Sequence, residues 1–135
     1  MDIIDKSRVQ HIINCGCTYV CNNIIHDSNI AMNSVDVVID SCAITCNPEN
    51  DMHLVIQKIS NLLKTGGHFI TVCDTSLTSV SGNFINPHSW IDLCTSNGLE
   101  LVGEYTETTN NLFVTEPNYQ SYGVLNVVRL VFKKA

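Results

Sequence analysis

The stretch Val35–Asp74, VDVVIDSCAITCNPENDMHLVIQKISNLLKTGGHFITVCD, constrains this chain more than any other. Val35–Ile39 is a short apolar run rich in β-branched residues, which predicts a strand covered on both faces. Pro48, with the acidic and amide residues after it, suits a helix start. Met52, Leu54, Val55, Ile59, Leu62 and Leu63 fall mostly on one stripe, as a helix packing on a sheet requires. Lys64 is expected in the last turn, against the negative end of the helix dipole. Gly66 and Gly67 are expected to terminate the helix, because glycine takes the left-handed conformation there without penalty. His68–Cys73 then reads as a second buried strand. Strand, helix and strand with short joints make a right-handed crossover between parallel strands. The chain is predicted to be α/β.

NSVDVVID (Asn33–Asp40) followed by NLLKTGGHFITV (Asn61–Val72) resembles the second half of a class I S-adenosylmethionine-dependent methyltransferase. In that family an "NSFD-hydrophobic" strand precedes a helix ending in "LLKPGG" and a further strand. Val35 stands here for the aromatic residue and Thr65 for the proline. The resemblance runs over most of the chain. It implies a Rossmann-like, mostly parallel sheet with flanking helices and a C-terminal antiparallel hairpin, with S-adenosylmethionine as cofactor.

Composition agrees with a single globular domain over residues 1–135. Charged residues make up 15% and apolar residues 44% of the sequence, a balance unlike that of disordered chains. A formal charge of −6 leaves no basic stripe to neutralise phosphates, which argues against unaided nucleic-acid binding. No apolar run approaches the ~20 residues of a membrane span. The start, MDIIDKSR, lacks the features of a signal peptide, so a cytoplasmic protein is the expectation. The seven cysteines are an odd number for a disulfide framework and are expected as reduced thiols, several of them in the core. Cys15, Cys17 and Cys21 with His26 lack the second CxxC pair of a zinc knuckle, so no metal is expected.

Along the chain, Arg8–Cys15 reads as a short helix ended by Gly16, and Thr18–Cys21 as a strand. On the methyltransferase template these are the second helix and third strand. Asp5 then matches the acidic residue that holds the cofactor's ribose hydroxyls; a carboxylate favouring the nearby helix N-terminus is the alternative. Asn23 and Ile24 match the place where the family reads the adenine edge, and an asparagine turn accounts for them equally. In the polar loop His26–Ser34, Ile30 and Met32 could pack around an adenine ring or cover the loop itself. Asp36 is expected to bond local backbone. Asp40, Ser41 and Cys42 lie at the carboxyl end of the central strand, where open α/β sheets bind ligands. A carboxylate there can act as a base or hold an amine, or cap the following turn. Asp74 stands at the end of the next strand, under the same alternatives.

Thr75–Pro87 reads as a loop suited to a lid. Pro87–Ser96 reads as a helix with Trp90, Ile91, Leu93 and Cys94 on its buried face, stopped by Asn97-Gly98. In the family a tryptophan at this place is core packing. Leu99–Glu107 and Val124–Lys133 are predicted strands, joined by a long connection at Thr108–Gly123 and pairing as a hairpin. Lys133 and Lys134 read as solubilising edge charges.

The family's first strand and glycine-rich cofactor turn have no counterpart upstream of Asp5. The sequence therefore resembles the C-terminal two thirds of the domain. That leaves open a homodimer, or a companion segment pairing with exposed sheet edges. Two function classes follow: methyl transfer to an unidentified acceptor, or a noncatalytic binding or scaffold module that kept the sheet. No Ser-His-Asp order, Walker lysine loop, HExxH or GxGxxG supports hydrolase, NTPase or dehydrogenase chemistry.

Overall fold

The computed structural model describes residues 10–18, 23–41, 43–44, 47–76, 87–108 and 125–135. Their order is α1 (Gln10–Asn14), β1 (Val35–Ser41), α2 (Glu49–Leu62), β2 (Leu63–Ser76), α3 (Pro87–Ser96), β3 (Leu99–Thr108) and β4 (Leu125–Lys134). The strands form one sheet in the order β1-β2-β4-β3. β1 and β2 pair in parallel, while β4 runs antiparallel to both β2 and β3. The sheet is therefore mixed. Three strands share one direction, and β4 is wedged between two of them. The predicted β3–β4 antiparallel pairing is present, but of the three pairings only β1–β2 is parallel.

One core lies on one face of this sheet. Phe69, Val128, Leu130 and Phe132 from the strands cluster with Met52, Val55, Ile56 and Ile59 of α2 and with Trp90 and Cys94 of α3. Phe69 and Phe132 are register partners with ring centroids 6.1 Å apart, a cross-strand aromatic pair worth about 0.5–1.5 kcal/mol beyond its area. Trp90 is completely buried, as core packing predicts. The α2 stripe differs in detail: Leu54 faces out and Ile56 faces in. Ile56 stands four residues after Met52 and three before Ile59, so its helical spacing fits the buried side.

The expectation that β1 is covered on both faces is not met. Val37 is 47% exposed and Ile39 71%. Both described helices of the core lie against the opposite face. Ile39 pairs with Ile70 and Ile70 with Val131, so an apolar row crosses this face, exposed at Ile39 and half-buried at Ile70 and Val131.

The end of α2 also differs from expectation. The helix stops at Leu62, and Lys64, Gly66 and Gly67 belong to β2. Its last carbonyls are satisfied by tertiary partners in place of a glycine cap. Asn33 N–H donates to Asn61 O at 2.9 Å and Ser34 N–H to Leu62 O at 3.0 Å. Lys134 Nζ donates to Leu63 O at 2.8 Å and to Asn33 Oδ1 at 2.9 Å. Lys134 is thus a helix-end clamp and not a plain solubilising charge. The glycines have another use. Val35 pairs with Leu63 and Val37 with His68, so the segment between Leu63 and His68 loops out. There a Cβ on Gly67 would lie 2.9 Å from Lys64 O and 3.0 Å from Asp36 O. Only glycine lets β2 re-enter the ladder so close to β1. Asp36, expected to bond local backbone, instead pairs with Lys64 Nζ at 2.9 Å across this bulge.

Other expectations hold or shift slightly. Asn97 and Gly98 N–H groups close α3 onto Cys94 O and Thr95 O. Among the described residues α1 covers Gln10–Asn14 and ends one residue before Cys15; Arg8 and Val9 lie outside them. Asp74 lies within β2, which runs on to Ser76. Cys94 is buried, but Cys15 and Cys17 are exposed. Among the described residues no group of three metal-ligating side chains occurs, and no helix is long and apolar enough to cross a membrane. Asp5, Cys42 and most of the Thr18–Cys21 segment lie outside the described residues, as do most of the two long loops.

Candidate functional site

Because β1 and β2 are parallel, their carboxyl ends lie on the same edge of the sheet. This is the edge where open α/β sheets hold ligands. Asp40 and Ser41 end β1 there.

Asp40 is buried, and both of its oxygens are engaged. Oδ1 accepts the backbone N–H groups of Ala43 at 3.0 Å and Ile44 at 3.1 Å. Oδ2 accepts the hydroxyl of Thr71 at 2.8 Å. Thr71 is its register partner on β2 and is itself fully buried. The turn is sealed further by Asn47, whose Nδ2 donates to Ala43 O and Ile44 O, each at 3.0 Å. Asp40 therefore caps the turn leaving β1 at this edge of the sheet. A carboxylate held by three donors is a positioning group more readily than a proton acceptor.

Ser41 is exposed, and among the described residues no hydrogen bond engages its hydroxyl. It is the described side chain at the end of β1 most open to a ligand.

Asn23 and Ile24 lie on a separate turn. Asn23 Oδ1 accepts Ile25 N–H at 3.0 Å, and Asn23 O accepts His26 N–H at 3.0 Å. This is an asparagine turn. Ile24 and Ile25 are half-buried against the core. No hydrogen bond of Asp40 reaches this turn. Ile30 and Met32 are exposed, at 40% and 64%.

Sequence reasoning missed three residues that shape this region. Thr71 was hidden inside an apolar strand. Asp27 is buried; its Oδ1 accepts Asn29 N–H at 2.7 Å, and its carbonyl accepts Lys58 Nζ at 2.6 Å. Lys58 thereby ties the loop before β1 to α2. An Asp-Ser-Asn run signals such a turn, but nothing local signals its burial or its lysine.

The mixed sheet, its parallel β1–β2 pair and the packing of α2 and α3 on it make an α/β fold like that of solved S-adenosylmethionine-dependent methyltransferases. Solved structures show the same likeness. A putative sarcosine dimethylglycine methyltransferase from Galdieria sulphuraria superposes with a TM-score of 0.74 over 99% of this chain and 68% of its own, at 14% identity. The [4+2]-cyclase SpnF matches with a TM-score of 0.73 over 96% of this chain and 60% of its own, at 9% identity. Geranyl diphosphate C-methyltransferase from Streptomyces coelicolor A3(2), solved with Mg2+, geranyl diphosphate and S-adenosyl-L-homocysteine, matches with 0.71 over 96% and 59%, at 12% identity. The chain thus spans between 59% and 68% of the length of these three structures. No family model matches the sequence, and no curated protein matches it. At these identities the likeness is one of fold, and fold alone does not fix chemistry; one of these three proteins is a cyclase.

Proposed function

We propose that this chain, residues 1–135 as one unit, forms part of a methyltransferase-type catalytic domain that binds S-adenosylmethionine and positions an acceptor against it. The observation that carries this reading is the superposition of nearly the whole chain on methyltransferase folds, with β1 and β2 ending together at the ligand edge. When bound, the cofactor supplies an electrophilic methyl group. Transfer is an in-line displacement, so positioning can supply most of the catalysis and no fixed catalytic constellation is required.

The residues of this chain fit the cofactor in part. Ser41 offers an open hydroxyl at the end of β1, and Asp40 holds the turn beside it. Asp5 would take the ribose hydroxyls. Asn23 and Ile24 would lie along the adenine, and Cys42 would line the site beyond Ser41. The acceptor is unassigned. A cofactor-free binding or scaffold module is the competing reading, and the full engagement of Asp40 favours it.

Calorimetric titration with S-adenosylhomocysteine separates the two. Micromolar binding, weakened at least tenfold by Asp5→Ala, is expected. A folded sample that shows no binding up to millimolar ligand would sink the enzyme reading for this chain and leave the scaffold reading standing.

A further inference from the structure

Cys15 and Cys17 flank Gly16 directly after α1, and both are exposed. The turn that carries them is set by two backbone bonds, Cys15 N–H to His11 O at 3.3 Å and Gly16 N–H to Ile13 O at 3.0 Å. Gly16 has φ of 90°, a conformation that other residues adopt only under strain. A Cβ there would meet nothing within 4 Å. Glycine is therefore needed for the bend and not for space. A bent central residue draws its neighbours' Cα atoms together, towards the roughly 4.4–6.8 Å that a disulfide spans, whereas an extended one holds them near the upper limit. Among the described residues no hydrogen bond engages either thiol, and no third metal-ligating side chain joins them. Cys94, by contrast, is sealed in the core.

We propose that Cys15 and Cys17 form a dithiol site that closes reversibly to a disulfide on reaction with a low-molecular-weight disulfide. One cysteine, as its thiolate, attacks the oxidant. The oxidant's S–S bond breaks, one thiolate leaves, and a mixed disulfide remains on the protein. The second cysteine gives its proton to water and attacks the protein-bound sulfur, forming the Cys15–Cys17 bond and expelling the second small thiol. Two protein thiols are oxidised and one small disulfide is reduced to two thiols. The step draws on nothing else in the molecule and is independent of the methyltransferase reading.

The test uses the full chain in glutathione and glutathione-disulfide mixtures, quenched by acid, alkylated and mapped by mass spectrometry. The expected product is a peptide carrying Cys15 and Cys17 that has lost two hydrogens and resists alkylation. It should reach half-completion at least tenfold lower in glutathione disulfide than adduct formation in Cys15→Ser or Cys17→Ser. Lasting glutathione adducts on both cysteines, a bond from either to a third cysteine or to another chain, or no reaction at millimolar oxidant would each overturn the proposal.

Discussion

The hydroxyl of Thr71 donates to Asp40 Oδ2 at 2.8 Å, joining the two parallel strands at the edge where a ligand would sit. The carboxylate's other oxygen carries two backbone N–H groups of the turn beyond β1. A side chain at a ligand edge is thereby committed to holding backbone.

That arrangement ranks substitutions at position 40. Asp40→Ala leaves two backbone donors and a buried hydroxyl without an acceptor, and should cost about 2–4 kcal/mol. Asp40→Asn keeps an acceptor at Oδ1 and should cost only about 1 kcal/mol. Thr71→Val, nearly isosteric, should fall between the two. Urea unfolding ranks them; an Asn variant as damaged as the Ala variant would show that charge, and not acceptance, holds the turn.

Gly67 should be intolerant. An added Cβ meets two backbone oxygens at 3.0 Å or less, and backbone cannot move aside as a flexible side chain can. Gly67→Ala is expected to cost about 1–3 kcal/mol. A thermal midpoint unchanged from wild type would mean the bulge at Leu63–His68 is not held as described.

Lys134 and Lys133 are adjacent but should behave differently. Lys134→Met removes a cation from the end of α2 and two hydrogen bonds, for about 1–2 kcal/mol. Lys133, exposed, should change stability by less than about 0.5 kcal/mol when replaced by Met. Equal effects would place the clamp elsewhere.

The two faces of the sheet give a contrast between two isoleucines. Ile39 is 71% exposed and Ile56 is fully buried. Ile56→Ala should cost about 2–5 kcal/mol, whereas Ile39→Thr should stay within about 0.5 kcal/mol. A large loss at Ile39 would show that something covers this face in solution, which oligomeric-state measurement would then identify or exclude as a second copy.

Much of the architecture was legible because its signals are local. The spacing of Met52, Val55 and Ile59, the Asn97-Gly98 stop and the run Val124–Lys133 each specify an element through a few neighbouring residues. What was not legible depends on distant partners. Asp40 and Thr71 are 31 residues apart, and Lys134 reaches Asn33 over 101. The sequence therefore left both catalysis and capping open for Asp40, with capping favoured, and offered solubility for Lys134. A short β-branched run such as VDVVI gives no sign of which of its faces is packed. The LLKTGG motif signals a glycine turn, but not that the ladder with β1 begins before it. Asn23 remains compatible with adenine contact as well as with its turn, since an amide can serve both.

Trp90 is the single tryptophan of the chain. It is fully enclosed, and among the described residues its indole Nε1 has no hydrogen-bond partner. Its emission should therefore be unusually blue when the chain is folded and shift strongly to the red on unfolding. No other indole dilutes that signal. The chain carries its own optical reporter at the point where α3 meets the sheet, so the variants above can be followed without a label.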